Sequence, residues 1–199
     1  QNCAETLFYG TDYHSHLGTE YGGMAILGDG DGFFRQIHSL SQSQFKSKFY
    51  DDYEVISGHK GIGVISDCEE QPIYLNSKFG PFCIVTSGYV ENTEELAEQL
   101  LKEGISFSEV SKRKVNTTEC IAKLINQGRD LISGIEKMFE VIEGSCSLLL
   151  LHEDGIYAAR DRLGYTPLII GKRPDAWAVT AETSAFPNNG FDVAKHLEP

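Results

Sequence analysis

No run of about 18 apolar residues occurs in this sequence, so no segment reads as a bilayer-spanning helix. The opening residues QNCAETLFYG lack both a basic start and a long apolar run, and no secretory signal is legible there. Positive charge is scarce: 17 Lys and Arg stand against 29 Asp and Glu, a formal net charge of −12. Such a surface repels phosphate backbones and anionic lipid, which argues against nucleic acid or a membrane as partner. The five cysteines (Cys3, Cys68, Cys83, Cys120, Cys146) contain no C-x-x-C pair. Cys83, Cys120 and Cys146 have apolar neighbours, and the set reads as reduced thiols of a cytoplasmic protein, not as disulfides or a zinc site. No metal and no cofactor is expected. No G-x-S-x-G, P-loop or H-E-x-x-H motif appears either.

What is present is ordinary globular composition, 41% hydrophobic and 23% charged over 199 residues. A chain of this size buries roughly 70% of its unfolded surface and needs no covalent staple. The absence of an initiator Met, and the stop at Glu198-Pro199 after a polar segment, suggest a piece of a longer polypeptide.

Short apolar runs at Gly23–Leu27, Gly61–Ile65, Pro72–Asn76 and Phe82–Thr86, separated by Gly, Asp and Ser, predict strands. Three helices follow. One starts at Asn92-Thr93-Glu94-Glu95 and carries Leu96, Leu100 and Leu101 to a stop at Gly104. Another starts near Asn116 with Ile121, Leu124 and Ile125 on one face, and ends at Gly128. The third spans about Asp130 to Ile142, with Ile132, Ile135, Met138, Phe139 and Ile142 expected inward. Two hairpins close the chain, Ser147–His152 with Ile156–Arg160 and Leu168–Gly171 with Ala176–Ala181. Leu148–Leu151 is apolar without interruption, as in a strand covered on both faces. The order of strands, helices and strands suits two sheets between helical layers better than a parallel βαβ sheet.

Local signals are weak when taken singly. Gly28-Asp29-Gly30-Asp31-Gly32 looks like a calcium-loop start, but a twelve-residue loop from Asp29 would end at Leu40, where no Glu stands. A solvated turn is expected. His14 and His16 could chelate only from a strand, and Thr6–Leu17 reads as helix, where i and i+2 do not share a face. Cys3 invites an N-terminal nucleophile reading, yet Gln1 and Asn2 precede it. Arg160-Asp161-Arg162 reads as an ion-paired turn, with a ligand cluster as the alternative.

Taken together, ordered strings resemble the N-terminal glutaminase domain of the amidophosphoribosyltransferase family, a class II (Ntn-type) glutamine amidotransferase. Phe8-Tyr9-Gly10 through Glu20-Tyr21-Gly22-Gly23-Met24 resembles "YYGL…QHRGQEGAGI". Gly61-Ile62-Gly63 and Gln71-Pro72 bracket the place of "IGHxRY(S/A)T…QP". Ser87-Gly88-Tyr89-Val90-Glu91-Asn92 is similar to "HNGNLVN", Thr118-Glu119 to the end of "SDTE", and Gly144–Leu151 to "GAYSLLLL". Gly155–Gly171 is close to "GIYAARDPLGIRPLVIG", and Ala181–Phe186 resembles "ASETCAF". The resemblance implies a single 1–199 domain of α+β class, a four-layer αββα sandwich with two mainly antiparallel sheets.

It also implies a purine-biosynthetic chemistry. An N-terminal cysteine attacks the glutamine amide, and ammonia passes to a downstream phosphoribosyltransferase domain in the same polypeptide, within a homo-oligomer. The family's nucleophile opens a strand ahead of the first helix, and Cys3 falls in the loop after it. The resemblance places the substrate pocket at Ser66, Asp67, Ser87, Gly88, Thr117 and Glu119, and the chain departs from the family at Ser66, Asp67, Ser87 and Thr117. The carboxylate-binding Arg falls on Ser66 with Asp67 at the Tyr, the oxyanion Asn on Ser87, and the ammonium-binding Asp on Thr117; Gly88 is kept. No catalytic residue is assigned. Two hypotheses follow: a glutaminase, or an inactive regulatory or assembly module that binds a different small metabolite.

Overall fold

The computed structural model describes residues 2–28, 30, 32–108, 110–111 and 114–199, with the side chains of Val110 and Ser111 outside that set. In chain order these form α1 (Ala4–Asp12), β1 (Tyr21–Leu27), β2 (Phe33–Ser39), α2 (Phe45–Val55), β3 (Lys60–Ser66), β4 (Ile73–Ser77) and β5 (Gly80–Val90). Then come α3 (Thr93–Lys102), β6 (Val110–Ser111), β7 (Lys114–Val115), α4 (Thr117–Ile125), α5 (Leu131–Val141) and β8 (Gly144–His152). The chain closes with β9 (Gly155–Arg160), β10 (Ile169–Arg173), β11 (Ala176–Thr180) and β12 (Asp192–His196).

Alternation along the strands assigns the layers. Cys83 and Val85 of β5, with Leu151 of β8, face Ala25 of β1 and Ile62 of β3. Their neighbours Phe82, Ile84, Leu148 and Leu150 point the other way, into a core with Leu96, Leu100, Ile121, Ile125 and Met138 of α3–α5. β5 and β8 are therefore covered on both faces, which explains their unbroken apolar runs. On the outer face of β1, Met24 meets Phe8, Phe45 and Phe49 of α1 and α2. The layers run α1/α2, sheet β2-β1-β3, sheet β4-β5-β8-β9, α3/α4/α5, with antiparallel pairing throughout both sheets. This is the αββα sandwich expected. A third sheet, β11-β10-β12, has its own small cluster of Ile169, Phe186 and Phe191.

Caps set the helix starts. Asn116 Oδ1 accepts the Glu119 amide at 3.0 Å ahead of α4, and Asp130 with Ser133 forms a capping box on α5. Asn92 departs from the expected role: its carboxamide ties the Val141 carbonyl and the Glu143 amide instead of capping α3. Ile132 is 60% exposed, against expectation. The buried face of α5 runs Leu131, Gly134, Ile135 and Met138, which is the i, i+3, i+4, i+7 stripe, and Ile132 lies off it. The first helix stops at Asp12, and Ser15–Leu17 form a separate 3-10 turn. Among the described residues no helix is long and apolar enough to cross a membrane.

Candidate functional site

β3 ends in a sharp turn made by Ser66, whose hydroxyl oxygen accepts the amides of Cys68 at 3.3 Å and Glu69 at 3.2 Å. That turn sends Glu69 across to the start of α4. Its carboxylate accepts the Thr117 amide at 2.7 Å, the Thr118 amide at 2.8 Å and the Thr118 hydroxyl at 2.7 Å, and the residue is only 9% exposed. A helix N-terminus offers unpaired N–H groups and partial positive charge, and here an internal carboxylate takes them. Because Thr118 spends its proton on Glu69, it accepts from the Thr86 hydroxyl, 2.6 Å away. Gln71 completes the arrangement: its side-chain oxygen accepts the Thr86 amide at 2.7 Å, and its NH2 donates to the Thr86 carbonyl at 3.2 Å.

Through Glu69, two of the six candidate positions, Ser66 and Thr117, come together. Asp67 turns away and accepts from the amide (2.6 Å) and hydroxyl (3.2 Å) of Thr19. Glu119 is buried and engaged elsewhere, its two oxygens accepting the Ser108 amide at 2.9 and 3.1 Å with Lys123 at 3.6 Å. It pins the segment before β6. Ser87 borders a cavity, and Gly88 beside it has φ +137°; a Cβ there would lie 2.1 Å from the Ser145 carbonyl oxygen, so only glycine fits.

The cavity is about 630 Å³ and lies between β3 and β11, with α1 above and β5 and β8 below. Its walls are mainly apolar, from residues such as Ile62, Val64, Val85 and Leu149, and its polar end gathers Thr86, Ser87, Ser147 and Thr166. Ser147 donates to the Thr166 carbonyl at 2.8 Å. His14 also borders it. Its Nδ1 donates to the Gly10 carbonyl at 2.8 Å, and its buried Nε2 has no hydrogen-bond partner among the described residues. Charged side chains border the same cavity as well: Lys60, which donates to the Glu153 carbonyl, and Arg173, paired with Asp175 at 2.9 Å.

Other sequence expectations resolve locally. His16 Nε2 pairs with Glu182 Oε1 at 3.0 Å, and no cluster of three metal-ligating side chains exists among the described residues. Asp29 and Asp31 of the glycine-rich turn lie outside the described residues. All five cysteines are free, and three are buried. Burial pushes the Cys83, Cys120 and Cys146 thiols up to about 12, so they stay protonated and are poor nucleophiles. Cys3 is half-buried and lines the cavity.

Glu69 was missed from the sequence. Its only signal was position, two carboxylates directly after a strand and before Gln71-Pro72, and the partner helix lies 48 residues away. The Arg160-Asp161-Arg162 turn makes no ion pair among the described residues. Asp161 instead accepts the Ser145 hydroxyl and the amides of Cys146, Leu163 and Gly164, while Arg160 donates to the carbonyls of Leu197 and Gly164.

Comparison with known proteins gives this geometry a family. A chain of amidophosphoribosyltransferase from Archaeoglobus fulgidus is 27% identical over 193 residues, covering 92% of this chain and 41% of that protein. The enzyme of the same name from Methanocaldococcus jannaschii is 27% identical over 209 residues, covering 100% and 43%. Among solved structures, the glutamine phosphoribosylpyrophosphate amidotransferase of B. subtilis, complexed with ADP and GMP, superposes with TM-score 0.86 at 25% identity, covering 98% of this chain and 43% of that one. This chain thus spans less than half the length of those relatives. The expected downstream phosphoribosyltransferase domain is corrected accordingly: these 199 residues correspond to the glutaminase part, and none corresponds to a transferase. The family described as "Glutamine amidotransferase domain" matches residues 59–188, more than half of the chain, and the chain belongs to that family, as a homologue of the amidophosphoribosyltransferase glutaminase module.

Proposed function

We propose that this domain is a catalytically silent member of the glutaminase family, a regulatory or assembly module of a purine-biosynthetic relative that binds a small metabolite other than glutamine. The observation that carries this reading is Glu69. It fills the start of α4 beside Thr117, where the resemblance implies an Asp for the glutamine ammonium, and its own turn is held by Ser66, where the resemblance implies an Arg for the carboxylate. A zwitterionic amino acid would meet a buried carboxylate at that helix start, with a serine in the place of the Arg that the resemblance implies. Loss of an oxyanion side-chain donor, as with Ser87 for Asn, costs on the order of 10² to 10³ in rate. Loss of two charge-assisted contacts, each worth about 1.5 to 3 kcal/mol, weakens recognition by further orders of magnitude.

The neutral hydroxyls at Ser87, Ser147 and Thr166 suit an uncharged ligand head, and the His14 Nε2, without a partner among the described residues, offers it one further polar contact. Glutamine hydrolysis, the competing reading, is favoured by the family membership and by the retained Gly88. Calorimetric titration of the full-length protein with glutamine, with ammonia release followed in the same preparation, separates the two. Neither heat at millimolar glutamine nor ammonia is expected. Micromolar binding with turnover would overturn the proposal.

The cavity also bears on the extent of the domain. β3 pairs only with β1 and β11 only with β10 among the described residues, and their open edges face each other across it. One strand laid between them would join the two three-stranded sheets, and Asn2 and Cys3, just ahead of α1, line the same cavity. We propose that a strand preceding α1 completes the domain there, leaving the polar end for the ligand. Amide exchange in the full-length protein checks this. The outward amides of β3 and β11 are expected to exchange as slowly as those paired to β1 and β10, and fast exchange at both edges would refute it.

A further inference from the structure

A second cavity, about 770 Å³, opens on the far side of the sandwich among α3, α4, α5 and the end of β4. Its charged lining consists of Lys78, Lys123, Lys137 and a single carboxylate, Glu103. On a chain of formal net charge −12, three lysines against one carboxylate give this cavity a lining of net positive formal charge.

The three lysines are not equivalent. Lys123 lies 3.6 Å from Glu119, and its charge is answered. Lys78 has no carboxylate partner among the described residues and only rests over the ring of its neighbour Phe79, 5.0 Å from the centroid. Lys137, on the exposed side of α5, likewise has no ion-pair partner among them. Glu103 is held by amides instead of lysines, accepting Gln127 Nε2 at 2.6 Å and Gln99 Nε2 at 3.4 Å. Asn126 gives its oxygen to the Lys78 amide at 3.3 Å, so its NH2 is left for other acceptors, as is that of Asn76 on the same wall.

Two ammonium groups without a carboxylate partner among the described residues and two neutral NH2 donors around one cavity form an acceptor-seeking lining. The absence of arginine narrows the anion. A planar carboxylate is best held by the guanidinium fork, whereas point-charge ammonium groups serve the tetrahedral oxygens of a phosphoryl group from several directions. We infer that this cavity binds a small phosphoryl-bearing anion, with Lys78 and Lys137 as its counter-charges and Asn76 and Asn126 as neutral donors. The inference is independent of the proposed silence of the glutaminase site, which lies on the other side of β5 and β8.

The test is calorimetric titration of the full-length protein with inorganic phosphate and, separately, glycerol phosphate, at low and moderate salt. Four single variants accompany the wild type: Lys78→Ala, Lys137→Ala, Glu103→Gln and, as a charge-matched control outside the cavity, Lys195→Ala. All four positions are exposed, so the fold is kept. Saturable binding is expected, weakened about tenfold by either cavity lysine substitution and tightened several-fold by Glu103→Gln, with Lys195→Ala unchanged. Tighter glycerol phosphate supports an organic phosphate as the ligand, and tighter inorganic phosphate supports the free ion. Equal losses for Lys195→Ala and the cavity lysines would reduce the effect to net charge and overturn the assignment, as would an absence of saturable binding to both probes.

Discussion

Replacing Asp161 by alanine is expected to destabilise the domain by about 4 kcal/mol, a drop of roughly 8 to 16 °C in melting temperature for a chain of this size. The residue is buried, and its carboxylate accepts four hydrogen bonds: the Ser145 hydroxyl at 2.8 Å and the amides of Cys146 at 2.6 Å, Leu163 at 2.6 Å and Gly164 at 3.0 Å. Alanine would strand the Ser145 hydroxyl and the Cys146 amide, both buried at the start of β8, and would release the more exposed turn at Leu163 and Gly164. The acid form is the second handle. Burial by itself would raise the Asp161 carboxyl, but the Ser145 hydroxyl and the amides of Gly164, Cys146 and Leu163 outweigh it and hold the group below the usual carboxylate value. A depressed carboxyl contributes stability that is complete above the unfolded value, about 4, and is lost as pH falls through the lower folded value. Urea denaturation between pH 7 and 3 should therefore show wild-type stability falling in that acid window. Asp161→Asn, which is less stable at neutral pH, should show a flatter profile. Parallel profiles would remove the ionised carboxylate from the account.

Glu69→Ala is expected to cost about 3 kcal/mol, and Glu69→Gln about half of that. The carboxylate satisfies two amides at the start of α4 and orders the proton chain from Thr86 through Thr118. Alanine leaves all three donors bare, whereas glutamine keeps one acceptor and loses the charge that favours a helix N-terminus. Denaturant midpoints of the two variants measure this ranking. If Glu69→Gln matched wild type, the negative charge would be irrelevant to the seat and an amino acid's carboxylate could compete for it. That outcome would weaken the silent reading at its root.

The layers of the fold were legible because strand and helix periodicity is local. Leu148–Leu151 announced a doubly covered strand, and Asn116 and Asp130 announced two helix starts, since a cap needs only its next three residues. α2 and β2 escaped notice for a local reason too. β2 has no residue fully buried and shows no alternation, and α2 buries only Phe45 and Phe49 of its eleven residues. Ile132 was misplaced because a four-residue stripe can be drawn one position off when Leu131 and Ile132 are both apolar.

Ordered motifs by themselves pointed to the family and the antiparallel sandwich, and they set Ser66, Ser87 and Thr117 where the resemblance implies an Arg, an Asn and an Asp. They could not determine what surrounds those three positions. That depended on Glu69 and Gln71 crossing to α4 and β5, on Glu119 turning to Ser108, and on Lys78 and Lys137 meeting around one cavity. Each is a contact between segments that are distant in sequence or that share no period. Hydrogen bonds are directional and short, so a side chain's role is decided by which donor the tertiary fold brings within about 3 Å, and residue type alone carries no record of that.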